Sequence, residues 1–545
     1  MALITPQSNT SVFHALSALF GRGNMSVSPP KDDEPLSLLF LTLSALFALV
    51  CYSCIHYLKP RNGSPPGPLG LPFVGYLPFL ELELHTYFAR LARTYGPILK
   101  LTLGRKVWIV ISSPSTAREV LKDHDLTFAN RNVPIAAREM TYGGSEIVTA
   151  SYGPKWRMLR KICVLKMLSR TTLDSVYGLR RREVRESIQY LYKRCGSPVN
   201  VGEDMFLAAY NVITSMLWAG TVKGDERDRL GAEFKNAVGE FTELVGRPNI
   251  SDFYPGLAWF DLQGIQKRVK VLAGQFDRIF EAILSQRLGN EKEGGRATVE
   301  EGKQSPEKEK DFLKFLLELK DGEDGKTPLT LIEIKALLMN MVLNGTETSS
   351  NTIEFIMAEM LNKPDTMRKA QQELDKVVGK DNVVEESHIS MLPYVHAVVK
   401  ESLRLHPPAP VLVPHCPSED TLISGFRIQK GSMVYINVWA IHRDPTIWEN
   451  PDVFDPERFM NSNVDYSGNH FNYLPFGSGR RMCAGIAMAE RMVMYSLATL
   501  LHSFDWELPK GEKLDLSEQF GIVMKKKVPL IAIPTPRLSD PALYK

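Results

Sequence analysis

Cysteine is scarce in this chain. Cys51, Cys54, Cys163, Cys195, Cys416 and Cys483 are the only six in 545 residues. Their scatter excludes a secreted disulfide framework and fits a reducing compartment. The Cys51-x-x-Cys54 spacing falls inside an apolar run, which argues against a redox or metal role. Neither charge sign dominates: 65 Lys and Arg against 62 Asp and Glu leave +3, too little to point to nucleic acid. No internal repeat and no second membrane-length run follow Phe73. Leu36–Leu58 lacks Asp, Glu, Lys and Arg and is long enough to cross a bilayer as one helix. Lys31-Asp32-Asp33-Glu34 precedes it and Lys59 and Arg61 follow, so the positive-inside rule puts the chain after it in the cytosol. Residues 1–30 lack acidic residues and carry one basic residue, Arg22. A transit peptide shares that acid-poor, Ser-rich composition but is richer in Arg. Residues 1–35 are therefore expected to be a disordered extension, with organelle targeting the alternative and Met25 a second candidate start.

What is present is enough for a large core: 44% of residues are apolar and 23% charged. Residues 59–72 hold Ser64-Pro65-Pro66-Gly67-Pro68-Leu69-Gly70-Leu71-Pro72, which cannot continue a helix and reads as a stiff elbow between anchor and globule. His85–Tyr95 predicts a helix, Ile98–Leu103 and Val107–Ile111 a hairpin around Gly104-Arg105, and Ser115–Asp123 a helix. Arg131–Gly153 has no clear period and predicts a long loop. Glu291–Lys310, nearly devoid of apolar residues, predicts a solvated connector. Leu331–Met360 predicts one long helix, interrupted at Asn344-Gly345-Thr346-Glu347-Thr348-Ser349, where glycine weakens the helix and hydroxyls compete for its carbonyls.

The stretch Phe476-Gly477-Ser478-Gly479-Arg480-Arg481-Met482-Cys483-Ala484-Gly485 sets one cysteine in a glycine-hinged, arginine-flanked loop before a predicted helix. Loop N–H groups and the helix N-terminus there are expected to stabilise a thiolate, and a thiolate so held can be an axial ligand of haem iron. Phe476, Gly479, Arg481, Cys483 and Gly485 together resemble the haem-thiolate signature of the cytochromes P-450. Trp156-Arg157-Met158-Leu159-Arg160 resembles the family's Trp-x-x-x-Arg helix. The resemblance implies that Trp156, Arg160 and Arg481 hold the propionates of haem b, with His415 standing where an arginine is common. Gly345, Glu347, Thr348 and Ser349 match the family's oxygen-helix motif, which makes Glu347 and Thr348 its proton relay. Asn344 departs from that motif, where a small residue is usual, and is expected to help set regioselectivity.

Lys400-Glu401-Ser402-Leu403-Arg404 and Pro456-Glu457-Arg458-Phe459 resemble the family's structural triad of Glu401, Arg404 and Arg458. Val411 to His415 is expected to run extended past the haem. By the same analogy the substrate pocket draws on residues 131–153, Asn340, Asn344, Val411, Val413 and Ile522. The resemblance covers Pro65 to the C-terminus and is nearest to plant endoplasmic-reticulum members. It implies a mainly α fold with a minor β-rich lobe over residues 73–545. It also implies monooxygenation of a small lipophilic molecule with O2, a terpenoid of sesquiterpene type foremost and a flavonoid or other phenolic as the alternative. No flavin or dinucleotide domain is evident, so electrons are expected from a separate NADPH–cytochrome P-450 reductase, with cytochrome b5 a further candidate donor. Lys155, Arg157, Lys161, Lys166 and Arg170 offer a basic face for such an acidic partner. Two rivals are a reductase-independent haem-thiolate isomerase or dehydratase and a haem sensor without turnover. Glu347 and Thr348 argue against the first, the basic face against the second.

Overall fold

The computed structural model describes residues 39–45, 47–48, 63–218, 226–294, 312–321 and 329–545. The chain divides into two units, Met1–Pro60 and Arg61–Lys545. In the first, residues 39–45 and 47–48 are helical and exposed. The remainder of the apolar run Leu36–Leu58, the extension before it and the Cys51/Cys54 pair lie outside the described residues. Among the described residues no helix is long and apolar enough to cross a membrane.

In the second unit helix α1 (Leu84–Tyr95) leads into strands β1 (Ile98–Leu103) and β2 (Lys106–Ile111). They pair antiparallel with Leu103 opposite Lys106. Leu99, Leu101 and Leu103 are fully buried at the period of two that puts alternate residues on one face. The proline-rich segment docks on this edge: the Lys100 N–H donates to the Pro66 carbonyl at 2.8 Å. A Cβ on Gly67 would sit 1.9 Å from the Lys100 oxygen, so only glycine fits there.

Helix α2 (Pro154–Ile162) is followed by α3 (Val201–Trp218) and α4 (Glu226–Gly246). The centre of the fold is α3 packed against α5 (Leu331–Asn362). Both are buried nearly all round and have no continuous solvent stripe, as expected of helices inside a core. Thr330 and Glu333 form a reciprocal capping box that fixes the start of α5. Helix α6 (Pro393–Leu405), strand β3 (Met433–Ile436) and helix α7 (Ile486–Ser503) follow. β3 joins β2 in parallel. A last hairpin, β4 (Glu518–Gln519) and β5 (Lys525–Lys526), returns the chain to α5.

Four expectations are corrected. The helix α5 is continuous through Gly345. The hydroxyls of Thr346 and Thr348 bond back to Val342 and Asn344, at 2.8 and 2.7 Å, without breaking it. Glycine is needed because a Cβ at 345 would lie 2.4 Å from Ile213 Cδ1 on α3. Residues 131–153 are not all loop: Ile135–Met140 is helical and ends in left-handed Tyr142, Gly143 and Gly144. Val411 to His415 is not uniformly extended. Leu412 takes φ +50 in a turn closed by its N–H on the Ala409 carbonyl, and His415 then bridges Val434 of β3. The helix Ile265–Gly294 runs into the first four residues of the expected connector; the rest of that stretch, up to Phe312, lies outside the described residues.

Candidate active site

The cysteine loop is closed by its own backbone. The Cys483 N–H donates to the Phe476 carbonyl at 3.0 Å, while the Phe476 ring meets Tyr466 edge-on. Gly477 and Gly479 both have positive φ. At Gly479 a Cβ would fall 2.3 Å from the Leu121 carbonyl oxygen, so the loop could not lie against that segment with any other residue. The Gly485 N–H donates to Cys483 Sγ at 3.3 Å, and α7 begins at the next residue. Cys483 is accessible, yet protein surrounds it closely enough that desolvation raises its pKa against the Gly485 bond and the Arg160 charge. It therefore opens on an internal space. A metal bound there would deprotonate the thiol outright.

Three buried or half-buried guanidinium groups gather beside the loop. Arg160 donates to the Met482 carbonyl at 2.6 Å. Arg481 donates to the carbonyls of Ala129, Ile147 and Ala150. Arg131, at the start of the segment expected to line the pocket, lines the cavity and donates to the carbonyls of Val413 and Pro414. Burial lowers all three, Arg131 to about 9 and Arg481 to about 10, and Arg481 adds to the lowering of Arg131 as Arg160 does to that of Arg481. Among the described residues none of the three has a carboxylate ion-pair partner. Concentrated cationic charge, offset at Arg131 and Arg481 by the buried Glu146 carboxyl, next to an accessible thiol, fits a dianionic group such as haem with its two propionates.

Trp156 and His415 stand beside these arginines. The Trp156 N–H donates to the Ile147 carbonyl at 2.9 Å, and its ring lies 4.4 Å from the Arg481 guanidinium. The ring braces that arginine. His415 is buried with Nδ1 on the Phe128 carbonyl at 2.9 Å. Burial and Arg131 push its pKa well down. In the neutral ring Nδ1 donates to that carbonyl and Nε2 is left an acceptor, with the Arg131 charge beside it.

Behind the loop the triad is formed. Glu401 takes two bonds from Arg404, each 2.8 Å, and one from Arg458 at 3.0 Å. Arg404 also donates to the carbonyls of His442 and Pro451.

One cavity gathers Asn340, Asn344, Val411, Val413 and Ile522, with Ala137 and Val148 from residues 131–153. Helix α4 adds Phe241 and Val245, which sequence reasoning missed because nothing in the periodicity of α4 says which neighbour it faces. Asn340 donates to Glu146, and Glu146 also accepts from the N–H groups of Val148 and Thr149. Asn344 donates to the Asn340 carbonyl at 2.9 Å and remains exposed on an otherwise buried helix. Glu347 and Thr348 are not together: Thr348 turns back to Asn344, whereas Glu347 is buried against α4 and β5. Desolvation raises Glu347 to about 7, opposed by Thr242, Lys525 and Lys235.

The family model described as Cytochrome P450 matches residues 65–532. A flavonoid 3'-monooxygenase of Crocosmia x crocosmiiflora is 38% identical over 93% of this chain and 100% of its own length. A carnosic acid synthase of Salvia pomifera is 38% identical over 91% of this chain and 99% of its own. Among solved structures, a zebra fish cytochrome P450 with abiraterone superposes with a TM-score of 0.69 at 26% identity, covering 84% of this chain and all of that one.

Proposed function

The chain belongs to the cytochrome P450 family as a plant monooxygenase of haem b served by an NADPH-dependent reductase, and from that premise we propose that it oxidises a terpenoid of sesquiterpene size. The observation that carries this is the cavity. Its walls are mainly apolar, and its most polar corner is satisfied internally by Asn340 on Glu146. An apolar hydrocarbon loses little by entering such a space. A flavonoid is the second reading, favoured by the exposed amide of Asn344 at the cavity wall, which can bind a hydroxyl.

Haem bound through Cys483 supplies the activation of O2, one oxygen atom entering the substrate and the other leaving as water. Arg131, Arg160 and Arg481 would neutralise its propionates. Glu347 holds a proton near neutral pH, and water between it and the Thr348 hydroxyl is the route by which it would be passed on. The apolar walls keep bulk water from the reacting carbon.

The enzyme works at a membrane in this reading, anchored by Leu36–Leu58 in the endoplasmic reticulum with the catalytic unit cytosolic. Exposed Phe73, Phe79 and Leu82 and the stretch Leu257, Trp259, Phe260 and Leu262 support it. Tyr254 Oη joins the two stretches by donating to the Phe73 carbonyl at 2.6 Å. Apolar surface of this kind marks a membrane or protein contact. Cytochrome b5 is a second electron donor on the basic face.

The test is turnover in reductase-containing membranes with sesquiterpenes and flavonoids side by side, read by a one-oxygen mass gain. Product from sesquiterpenes, dependent on NADPH, is the expected result. Product from flavonoids alone replaces the first reading with the second. Turnover without NADPH refutes both in favour of an isomerase.

A further inference from the structure

The acid on α5 and the substrate cavity share one hairpin. Phe520 and Ile522, in the loop between β4 and β5, line the cavity. Three bonds fix that loop to its surroundings beside Glu347. The Ile522 N–H donates to the Thr242 carbonyl at 3.1 Å, and the Thr242 side chain faces the Glu347 carboxyl. The Met524 carbonyl accepts Asn351 Nδ2 at 3.1 Å, one turn beyond Glu347 on α5. Lys525 Nζ then pairs with Glu243 of α4 at 3.4 Å.

Glu347 Oε1 and Lys525 Nζ lie 3.5 and 3.7 Å from where a Cβ on Gly239 would stand, so the glycine leaves the space in which acid and lysine approach. Glu347 Oε2 is buried without a hydrogen-bond partner. The charged groups acting on the acid are Lys525 from β5 and Lys235 from α4, with Glu243 beside Lys525 and Glu354 beside Lys235 at Gly202. The Lys525 and Glu243 side chains are 28% and 23% exposed, so this edge is open to solvent.

We propose that Lys525 is a positioning residue for proton delivery: carried by the hairpin whose tip lines the substrate cavity, it holds Glu347 toward α4 and links it through Glu243 to bulk water. A proton leaving Glu347 for the cavity leaves a carboxylate, which Lys525 stabilises until a proton from water at the Glu243 edge restores the acid. Only Val523 and Met524 separate Ile522 from Lys525. A substrate that presses on Ile522 therefore acts on the partner of the acid, and the same hairpin reads substrate fit and governs proton supply. This rests on the role assigned to Glu347 above.

The test uses full-length enzyme in membranes with Lys525→Met, Lys525→Gln, Lys525→Arg and Glu347→Gln. The carboxyl band lost in Glu347→Gln by infrared difference is followed against pH. Removing a nearby cation should move its midpoint up by about one pH unit in Lys525→Met or Lys525→Gln, and Lys525→Arg should restore it. The share of NADPH electrons released as peroxide should rise in the two neutral variants and fall back in Lys525→Arg. An unmoved midpoint in the neutral variants overturns the inference, provided that Glu347→Gln itself raises peroxide release. If Glu347→Gln leaves that ratio unchanged, the role of the acid falls, and the inference with it.

Discussion

The Leu474 N–H donates to His442 Nε2 at 2.8 Å, deep in the protein. The other ring nitrogen of His442 lies 3.1 Å from the Arg404 carbonyl and must donate to it. Burial, reinforced by Arg404, drives the His442 pKa down to about 3, so the ring is neutral and its tautomer is fixed by these two bonds. Arg404 belongs to the triad and Leu474 leads into the cysteine loop. The histidine is the strut between them. Replacing His442 by Phe keeps the volume but strands a buried N–H, at a cost of about 1–3 kcal/mol. The expected outcome is a protein that still binds haem but loses the thiolate-type reduced-CO spectrum faster on warming. An unchanged rate would remove the strut from the account.

Arg404→Ala should be far more severe. It leaves Glu401 with one cationic partner in a site where both Glu401 and Arg404 are fully buried. Stranding a buried charge costs about 3–5 kcal/mol, a large part of the stability of an ordinary domain. Little or no haem-loaded protein is expected. Normal haem incorporation, read from absorbance per mole of polypeptide, would refute it.

Motifs that are local in sequence were legible and those defined by partners were not. Gly479 and Cys483 could be read because a tight loop and its ligand need particular residues at fixed spacing, and the Glu401–Arg404 pair because the two share a helix face, Arg458 being added by the family resemblance. The partners of Arg131 were invisible: the carbonyls of Val413 and Pro414 lie some 280 positions away. The tautomer of His415 was illegible for the same reason, since the Phe128 carbonyl decides it. At Gly345 the composition suggested a break in the helix, whereas the neighbour Ile213 supplies the reason for glycine.

That contact makes a stability prediction. Gly345→Ala gains about 1 kcal/mol of helix propensity but drives a methyl against Ile213 Cδ1, and overpacking of this kind costs about 1–3 kcal/mol. The single variant should be destabilised. Ile213→Val deletes the clashing methyl, so adding Gly345→Ala to Ile213→Val should be neutral or stabilising. Chemical denaturation of the four proteins gives the cycle. Equal effects of Gly345→Ala in both backgrounds would show that Ile213 is not the constraint.

Glu347 predicts a pH dependence of stability. Its folded pKa, about 7, lies above the ordinary 4.5 because burial disfavours the carboxylate. The folded state thus binds more protons than the unfolded one between these values. The contribution of Glu347 to stability is fully present below about pH 4.5 and is lost as pH rises through about 7, a span worth about 3 kcal/mol. Glu347→Gln cannot ionise and should lack that slope. Melting curves of both proteins from pH 5 to 8 should therefore diverge, the wild type losing ground as pH rises. Parallel curves would mean that the carboxyl is not held protonated.

Asn344 carries the last prediction. Its Nδ2 is committed to the Asn340 carbonyl one turn back, which fixes the amide plane and leaves the side-chain oxygen free to meet a substrate. It stands on the cavity-lining face of α5 together with Leu343 and Asn340. Asn344→Ala widens the cavity at that point and removes the acceptor without touching Glu347 or Thr348. An apolar substrate should still be oxidised but with a changed distribution of product positions, because the wall that limits its approach has moved. A hydroxylated substrate bound through the amide should lose affinity instead, raising KM more than it lowers kcat. Product ratios and the KM-against-kcat split, measured on the same preparation, therefore separate a steric wall from a hydrogen-bonding contact. An unchanged product profile with unchanged KM would remove Asn344 from the specificity of this enzyme.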